Sequence, residues 1–598
     1  MCGIFGIVSK QALDFPDLMS KMGAKLAHRG PDDEGFYSDS QVMLGNRRLA
    51  IIDVERGRQP MFSDDLSIII VQNGEIYNYV ELRQELVARG VRFRTDSDTE
   101  VILRLYEAYG VEFVKKLNGM FAIAIWDKNS RSMHLYRDRI GIKPLFYSDT
   151  ESGICFASEI KALLSIGIPV IPRIEAIHHY LSFNFVPPAM TMFDGIENVP
   201  AGGAITITDG KIEHWQWWQP SFVTVQKNDA QWIEEFKDTL SDAVRIHLRS
   251  DVEVGAFLSG GIDSSSVVAL AAKHVKPPMH SFSIGFKEAR FDESAYAKQV
   301  AEKYNTAHHN AVLGSEMISL WPKVIYHAEQ PHGDASFIPT YALSQMAAQK
   351  VKVVLTGDGS DELFAGYERY AEFVEKHSGD KNDDFERAYF ANQGLLTHEG
   401  KLGLYTQQWQ KYFEPLDSFD LMKKDFTDVR SLYPVNRISW MDMKWLLPAN
   451  NLIKPDRMGM AVGLEARVPF LDNRMIELAL SMPSSLKLRG TSGKYILKEA
   501  MRELLPQEIL QRPKQMFTVP IGEWFKRRLA PMLAEVLLSD RAMGRGLFER
   551  DAVQRLITEH VNGKGNHTRI LRALVALEIW CRLFIDNESS EMFVEFSV

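Results

Sequence analysis

Two stretches of this sequence carry residues whose types and spacing could do chemistry: the first residues of the chain and a glycine turn near position 260. Cys2 directly follows the initiator methionine. Once Met1 is removed, one residue carries both a thiol and a free α-amine, with ordinary pKa values of about 8.5 and about 8. The amine can then take the thiol proton near neutral pH without a histidine, a base-activated nucleophile contained in one residue. A second-position cysteine is by itself usually incidental. The run Phe257-Leu258-Ser259-Gly260-Gly261-Ile262-Asp263-Ser264-Ser265 reads as a strand end, a turn and a helix start. Glycines let the backbone approach an anion closely, and the helix N-terminus adds partial positive charge. This is a phosphate cradle, without the lysine of the kinase-type loop G-x-x-x-x-G-K-[ST]. A second turn, Leu355-Thr356-Gly357-Asp358-Gly359-Ser360-Asp361-Glu362, is acidic and glycine-rich. Carboxylates at the C-terminal ends of parallel strands point into the usual ligand crevice. Magnesium is commonly held by one or two carboxylates plus substrate phosphates. Asp263 and Asp361 are therefore candidates to hold Mg²⁺. A solvated acidic turn would account for Asp361 alone, but poorly for both.

The elements that must position these groups differ between the two halves. Residues 4–8, 41–44, 66–72, 120–126 and 132–137 are compact, largely apolar or branched runs, the pattern of strands. Helical spacing of apolar residues appears at 15–27 and 99–109. With few crossovers between these strands, mostly antiparallel sheets are expected. The aromatic run His214–Pro220 is either a packed connector or a hairpin end. From Glu234 the pattern changes to helix 234–249, strand 252–258, helix 264–274, strand 280–286, helix 293–304 and strand 351–355. Strands alternating with helices predict a parallel sheet covered on both faces. Residues 380–430 are more polar and helical, and the tail from 437 to 585 is helix-rich.

The chain has 598 residues, too many for one core, so several domains are expected. Hydrophobic residues make up 45% and charged residues 25%, and the net charge is −9 without an extended basic block. That argues against a nucleic-acid surface. Three cysteines, Cys2, Cys155 and Cys581, form no disulfide framework, which favours a reducing cytoplasm. The N-terminus does not read as a signal peptide, and no apolar run approaches the ~18 residues of a membrane helix.

The N-terminal motifs occur together: MCGIFGIV, His28–Asp32, Arg47–Asp53, Asn73–Asn78, Ser97–Glu100, Arg137–Leu145 and Phe156–Glu159. As a set they resemble the class II glutamine amidotransferases. The glycine turn resembles the SGGxDS loop of the ATP pyrophosphatases. Together with Ser281–Phe286, Glu465–Asp472, Gly493–Lys498 and Arg512–Lys514, the pairing resembles the glutamine-hydrolysing asparagine synthetases over nearly the whole chain. The resemblance implies an α/β chain with glutaminase domain 2–205, connector 206–235 and synthetase domain 236–598. The first would be an αββα four-layer sandwich of the N-terminal nucleophile hydrolase type. The last would be a doubly wound parallel-sheet ATP pyrophosphatase domain with helical additions.

The same resemblance assigns roles. Cys2 would attack the glutamine amide, with Asn73 and the Gly74 N–H holding the oxyanion. Arg48, Asn73, Glu75 and Asp98 would bind glutamine, Arg48 through its α-carboxylate and Asp98 through its α-ammonium. Leu258, Ser259, Gly260, Gly261, Asp263, Ser264, Ile284, Thr356 and Gly357 would form the ATP site. Lys494 would neutralise departing pyrophosphate, and Asp358 would be the base for ammonia. ATP is then a substrate and Mg²⁺ the metal. Homodimers are common in the family. Two departures bear on the acceptor: Asp358 stands where asparagine-forming members carry Glu, and Met516 where many relatives have Gly. The expected reaction is amidation of aspartate through an acyl-AMP, in asparagine biosynthesis. The alternatives are amidation of another carboxylate, such as a sugar uronate or a peptide acid, or a non-catalytic glutamine or nucleotide sensor. Beta-lactam synthetases share the architecture but, by resemblance, lack the cysteine.

Overall fold

The computed structural model describes residues 2–9, 15–223, 225–276, 278–512, 519–591, 593 and 596. Among them, the N-terminal part carries strands β1 (Cys2–Ser9), β2 (Asp33–Ser38), β3 (Val42–Arg48), β4 (Met61–Phe62), β5 (Ile68–Ile76), β6 (Gly119–Asp127), β7 (Ser132–Arg137), β8 (Phe146–Thr150), β9 (Gly153–Ala157), β10 (Glu197–Asn198), β11 (Gly203–Thr208) and β12 (Lys211–Gln216). They form two antiparallel six-stranded sheets, ordered β10-β8-β9-β1-β3-β2 and β12-β11-β7-β6-β5-β4. Helices α1 (Phe15–Leu26), α2 (Tyr79–Ala88), α3 (Asp98–Tyr109), α4 (Ile160–Leu164) and α5 (Ile174–Phe183) accompany them.

Side-chain alternation explains the layering. In β1, Ile4 and Val8 join Val42, Leu44, Ile69, Val71 and Ala122 in the core between the sheets. Phe5 and Ile7 face the other way, onto Met22, Leu26 and Ile160 of α1 and α4. In β5, Ile69 and Val71 face the first sheet, while Ile68 and Ile70 pack with Leu82, Leu86, Val101, Ile102 and Leu105 of α2 and α3. The strand period of two thus builds helix, sheet, sheet and helix in turn. Each fully buried Ile, Leu or Phe contributes about 1.5–3 kcal/mol.

The second half contains α6 (Asp229–His247), β13 (Val254–Phe257), α7 (Ile262–Ala271), β14 (His280–Phe286), α8 (Ser294–Lys303), β15 (Ala307–Leu313), α9 (Trp321–Ala328), α10 (Phe337–Ala348), β16 (Val353–Leu355), α11 (Ser360–Phe364) and β17 (Glu465–Arg467). Its sheet is parallel throughout, in the order β15-β14-β13-β16-β17. Val267, Val268 and Leu270 of α7 share a core with Ala256 and Leu355. Ile338 and Tyr341 of α10 share the other with Phe282, Ile284 and Val354. The sheet is therefore covered on both faces. Helices at 382–393, 407–413 and 568–580 are among its additions.

Three details differ from the sequence reading. Residues 206–216, expected as connector, belong to the β11–β12 hairpin, which pairs with β7 in the second sheet. His214–Gln216 is thus a hairpin end, while Trp217 behind it is buried and donates Nε1–H to the Arg137 carbonyl at 3.0 Å. Strands β15 and β17 carried no apolar signal. The first is a half-exposed edge strand reading AHHNAVL, and the second has only three residues.

Two interior features lie apart from the strand ends. Lys401 is fully buried, its ammonium 2.7 Å from His178 Nε2 and 2.8 Å from Ser418 Oγ. Burial pushes its pKa down to about 7. A cavity of about 290 Å³ is lined by Ile177, Trp409, Phe548, Leu574 and Cys581 among other mainly apolar residues. Among the described residues, no helix is long and apolar enough to cross a membrane.

Candidate active sites

The first centre forms where the two sandwich sheets meet at Cys2. Register pairs Cys2 with Arg48 across β1 and β3. From the facing sheet, Asn73 Oδ1 accepts the Cys2 N–H at 3.1 Å. Asn73 is completely buried, and its Nδ2 has no hydrogen-bond partner among the described residues. An unsatisfied buried donor costs about 1–3 kcal/mol, a cost removed when a ligand oxygen accepts from it. Gly74 has φ +152°, and a Cβ there would meet the Met120 carbonyl oxygen at 2.0 Å, so only glycine fits the strand at this point.

Burial pushes the Cys2 thiol up, against lowering contacts from Asn46, the Leu49 N–H and Arg48. Arg29 donates Nε–H to the Cys2 carbonyl at 3.1 Å and pairs with Glu159 at 2.9 Å and Asp456 at 3.0 Å. Arg48 is buried. Its guanidinium donates to the carbonyls of Ile52, Asp53 and Val54 at 2.8–3.1 Å. Asp98 opens α3 and accepts from Gln72 Nε2 and the Ile76 N–H, both at 3.0 Å. Burial raises its pKa, and no cationic side chain among the described residues pairs with it. Arg48 and Asp98 are both buried, and neither forms an ion pair among the described residues. Glu75 is also buried, which raises its pKa well above the usual carboxylate range, as does repulsion from Glu465. Its partner is Arg467 of β17, with Nη2 at 3.4 Å from Oε2.

The second centre sits at the C-terminal ends of β13 and β16. Leu258 donates its N–H to the Phe282 carbonyl at 2.8 Å, extending the sheet into the turn. Within the turn, Ser259 and Ser264 hydroxyls lie 3.1 Å apart, Gly261 N–H donates to Ser259 Oγ at 3.3 Å, and Ser264 Oγ donates to the Gly261 carbonyl at 3.3 Å. Gly260 has φ +74°, and its carbonyl accepts from Arg512 Nη1 at 3.1 Å. Ile284 is buried on β14. Gly357 brings the acidic loop against this turn, since a Cβ there would meet Asp263 Cβ at 2.8 Å.

Asp263 and Asp361 converge on one point. Lys494 Nζ lies 2.7 Å from Asp263 Oδ2 and 2.7 Å from Asp361 Oδ1. The lysine follows a short hairpin, Leu488–Arg489 with Ser492–Gly493, and itself has φ +54°. A Cβ on Gly366 would meet Lys494 Cε at 2.0 Å, so a glycine is what lets the stem pass. Asp358 Oδ2 accepts from the Thr356 hydroxyl at 2.7 Å, within its own turn. Glu362, one helical turn on, is buried, and burial and Asp361 raise its pKa to about 7. Tyr367 donates to it at 2.6 Å. Pro513, Lys514 and Met516 lie outside the described residues.

The structure thus gathers Cys2, Arg48, Asn73, Gly74, Glu75 and Asp98 into one region, and Leu258–Ser264, Thr356–Asp361 and Lys494 into another. Sequence reasoning missed Asn46, Arg29 and Arg467 as neighbours of the first. The alternation Glu465-Ala-Arg467 puts both charges on one strand face, a signal that was available.

Comparison with known proteins fits both centres. The asparagine synthase family model matches residues 235–582, and a glutamine amidotransferase domain model matches residues 1–218. The chain is 35% identical to asparagine synthetase [glutamine-hydrolyzing] 1 of Bacillus subtilis (strain 168), over 98% of this chain and 97% of that one. It is 31% identical to a putative asparagine synthetase [glutamine-hydrolyzing] of Mycobacterium tuberculosis, over 98% of both. It is 28% identical to amidase chry2 of Gibberella zeae, over 88% and 89%. The two centres and their folds are those of a glutamine-dependent carbon–nitrogen ligase. The chain belongs to the glutamine-hydrolysing asparagine synthetase family.

Proposed function

We propose that the chain converts aspartate to asparagine, activating its side-chain carboxylate as an acyl-AMP and aminating it with ammonia released from glutamine. The observation that carries this reading is the presence, in one chain, of a buried cysteine beside an unpartnered amide donor and of two carboxylates converging on one cation at a phosphate-type turn. With Met1 removed, the Cys2 amine takes the thiol proton and Sγ attacks the glutamine amide carbon. Asn73 Nδ2 and the Gly74 N–H receive the developing oxyanion. Arg48 and Asp98 hold the α-carboxylate and α-ammonium, charges that suit a fork and a carboxylate. Ammonia leaves, and water hydrolyses the thioester.

At the second centre the Ser259–Ser264 turn and the α7 N-terminus receive phosphate oxygens. The acceptor carboxylate attacks the α-phosphorus and pyrophosphate leaves, its charge met by Lys494. Ammonia then attacks the acyl carbon, AMP departs, and Asp358 takes the surplus proton. Asp263 and Asp361 fit Mg²⁺, offering oxygen donors that already share one cation. Bound there, it would neutralise charge on phosphate oxygens. Ammonia in bulk water would be protonated, so a shielded seam is needed. Leu49, Ile51 and Ile52 share a buried apolar cluster with Val353 and Met460, and Met120 and Ile142 share one with Leu355. The three cysteines are all free, which supports a reducing compartment.

A second reading is amidation of another carboxylate. It is favoured by Asp358, one methylene shorter than Glu and turned onto Thr356. Incubation with ATP, Mg²⁺, glutamine and aspartate decides between them. Asparagine, AMP and pyrophosphate in equal amounts support the first reading. AMP and pyrophosphate only with another acid support the second. If the protein neither deamidates glutamine nor cleaves ATP between its α and β phosphorus atoms with any acid offered, both fall.

A further inference from the structure

We propose that Arg467 is a positioning residue through which the glutamine centre and the nucleotide centre bias one another, an inference that rests on the functional reading above. The contacts of Arg467 reach both. Its backbone belongs to the nucleotide side: β17 pairs with β16, placing Arg467 opposite Leu355, and its carbonyl accepts the Thr356 N–H at 2.8 Å at the start of the acidic loop. Its side chain belongs to the glutamine side, with Nη2 3.4 Å from Glu75 Oε2.

The guanidinium is completely buried and has little freedom. Nε donates to Glu465 at 2.5 Å, and Nη1 donates to the carbonyls of His247 at 2.7 Å and Arg249 at 2.6 Å. A planar fork fixed at these points transmits a shift rather than absorbing it. Glu75 sits at the other extreme. Arg467 is its only cationic partner among the described residues, at a long distance, and Oε2 makes no hydrogen bond. Glu75 follows Asn73 and Gly74 directly, so a ligand drawn to this strand competes with Arg467 for the carboxylate. Release or tightening of that contact moves the end of β17, and with it the Thr356 N–H that anchors the nucleotide loop. By linkage, nucleotide that reorders Thr356–Gly357 must change glutamine affinity by the same factor.

An ion pair between the halves, with an exposed carboxylate, supplies the control. Arg139 pairs with Glu477 at 2.5 Å, and Glu477 is 61% exposed. It touches neither centre.

The test uses the full chain. The glutamine KM of the glutaminase reaction is measured with and without saturating ATP, Mg²⁺ and acceptor, in the wild type, R467K and E477Q. R467K keeps the charge and removes the fork. The wild-type KM is expected to change at least about five-fold, the lower end of ordinary site–site coupling. E477Q should keep that ratio. R467K should bring it to within about two-fold of unity, while ammonia-dependent synthesis stays within about three-fold of wild type. An unchanged ratio in R467K, no ratio in the wild type, or a parallel loss of both half-reactions in R467K would each overturn the inference. Should R467K fail to fold, hydrogen exchange decides. In C2A, where glutamine binds without turnover, added glutamine alone should alter exchange in the peptide spanning 353–358, and no change would overturn it. Absence of both half-reactions in the wild type would instead defeat the functional reading.

Discussion

The glutamine centre and the nucleotide centre are assembled on opposite plans. The first is a product of strand register. Cys2 and Arg48 are placed by the β1–β3 ladder, Asn73 and Gly74 by the β5–β6 ladder, and Asp98 by a helix start beside them. The second is a product of charge: Asp263 and Asp361 come from the first turns of α7 and α11, and Lys494 from just after a hairpin far along the chain. A register-built site loses chemistry when one side chain is cut back, because the backbone still holds the others. A charge-built site should also lose geometry, because each charge holds its neighbours. Breaking a buried pair by removing one partner typically costs 3–5 kcal/mol.

The sharpest way to break this contrast is Cys2→Ala. Glutamine-dependent synthesis should fall by on the order of 10⁶ in kcat, the scale of deleting a nucleophile. Synthesis from added ammonia should persist, and loss of both in a folded variant would mean the centres are not separate. Next in size, Lys494→Met should lower pyrophosphate release by at least about 10²–10³, spare glutaminase, and reduce the melting temperature. An unchanged melting temperature would argue that charge does not hold that centre together. Asn73→Ala should cost the glutaminase kcat about 10²–10³ at nearly constant stability, and an equal fall in ammonia-dependent synthesis would count against its oxyanion role.

The smallest effect concerns Lys401, which belongs to neither centre. Its pKa is about 7 in the fold, against about 10.4 in an unfolded chain. Between those values the unfolded chain binds a proton that the folded one does not, so stability should rise with pH from about 7 to about 10. The slope is at most about 1.4 kcal/mol per pH unit for one proton. The titratable groups facing it are His178, His179 and Asp417, with Tyr405 and His398 packed on the far side of His178. Burial pushes His178 down to about 2 and His179 to about 4, so neither of these contributes to that slope. Urea titrations of Lys401→Met at pH 7 and pH 9 should show the slope flattened, and an unaltered slope would show that the lysine is charged in the fold.

Much of the glutamine centre was legible because its residues sit in short, chemically distinctive runs. The Ser259–Ser264 turn was legible for the same reason, being local strand, turn and helix. What escaped were contacts between distant elements. Nothing near Glu75 in the sequence points to Arg467, and nothing near Cys2 points to Asn46. The edge strand β15 escaped because a half-exposed edge needs no continuous apolar run, and the β11–β12 hairpin because its outer strand is largely exposed. The pairing of Asp263 with Asp361 was legible from their places after two strands, but Lys494 was anticipated only through the family, since no periodicity links a helix start at 263 to a residue at 494.

The cavity beneath Trp409 and Phe548 has a practical consequence. None of its lining residues belongs to either centre, so bulk can be added there without touching the groups assigned to turnover. Replacing the half-buried lining residue Ala542 with a larger aliphatic residue should harden the enzyme against heat by about 0.5–2 kcal/mol, the usual return from cavity filling. Thermostability in this protein can therefore be engineered in a compartment separate from its chemistry.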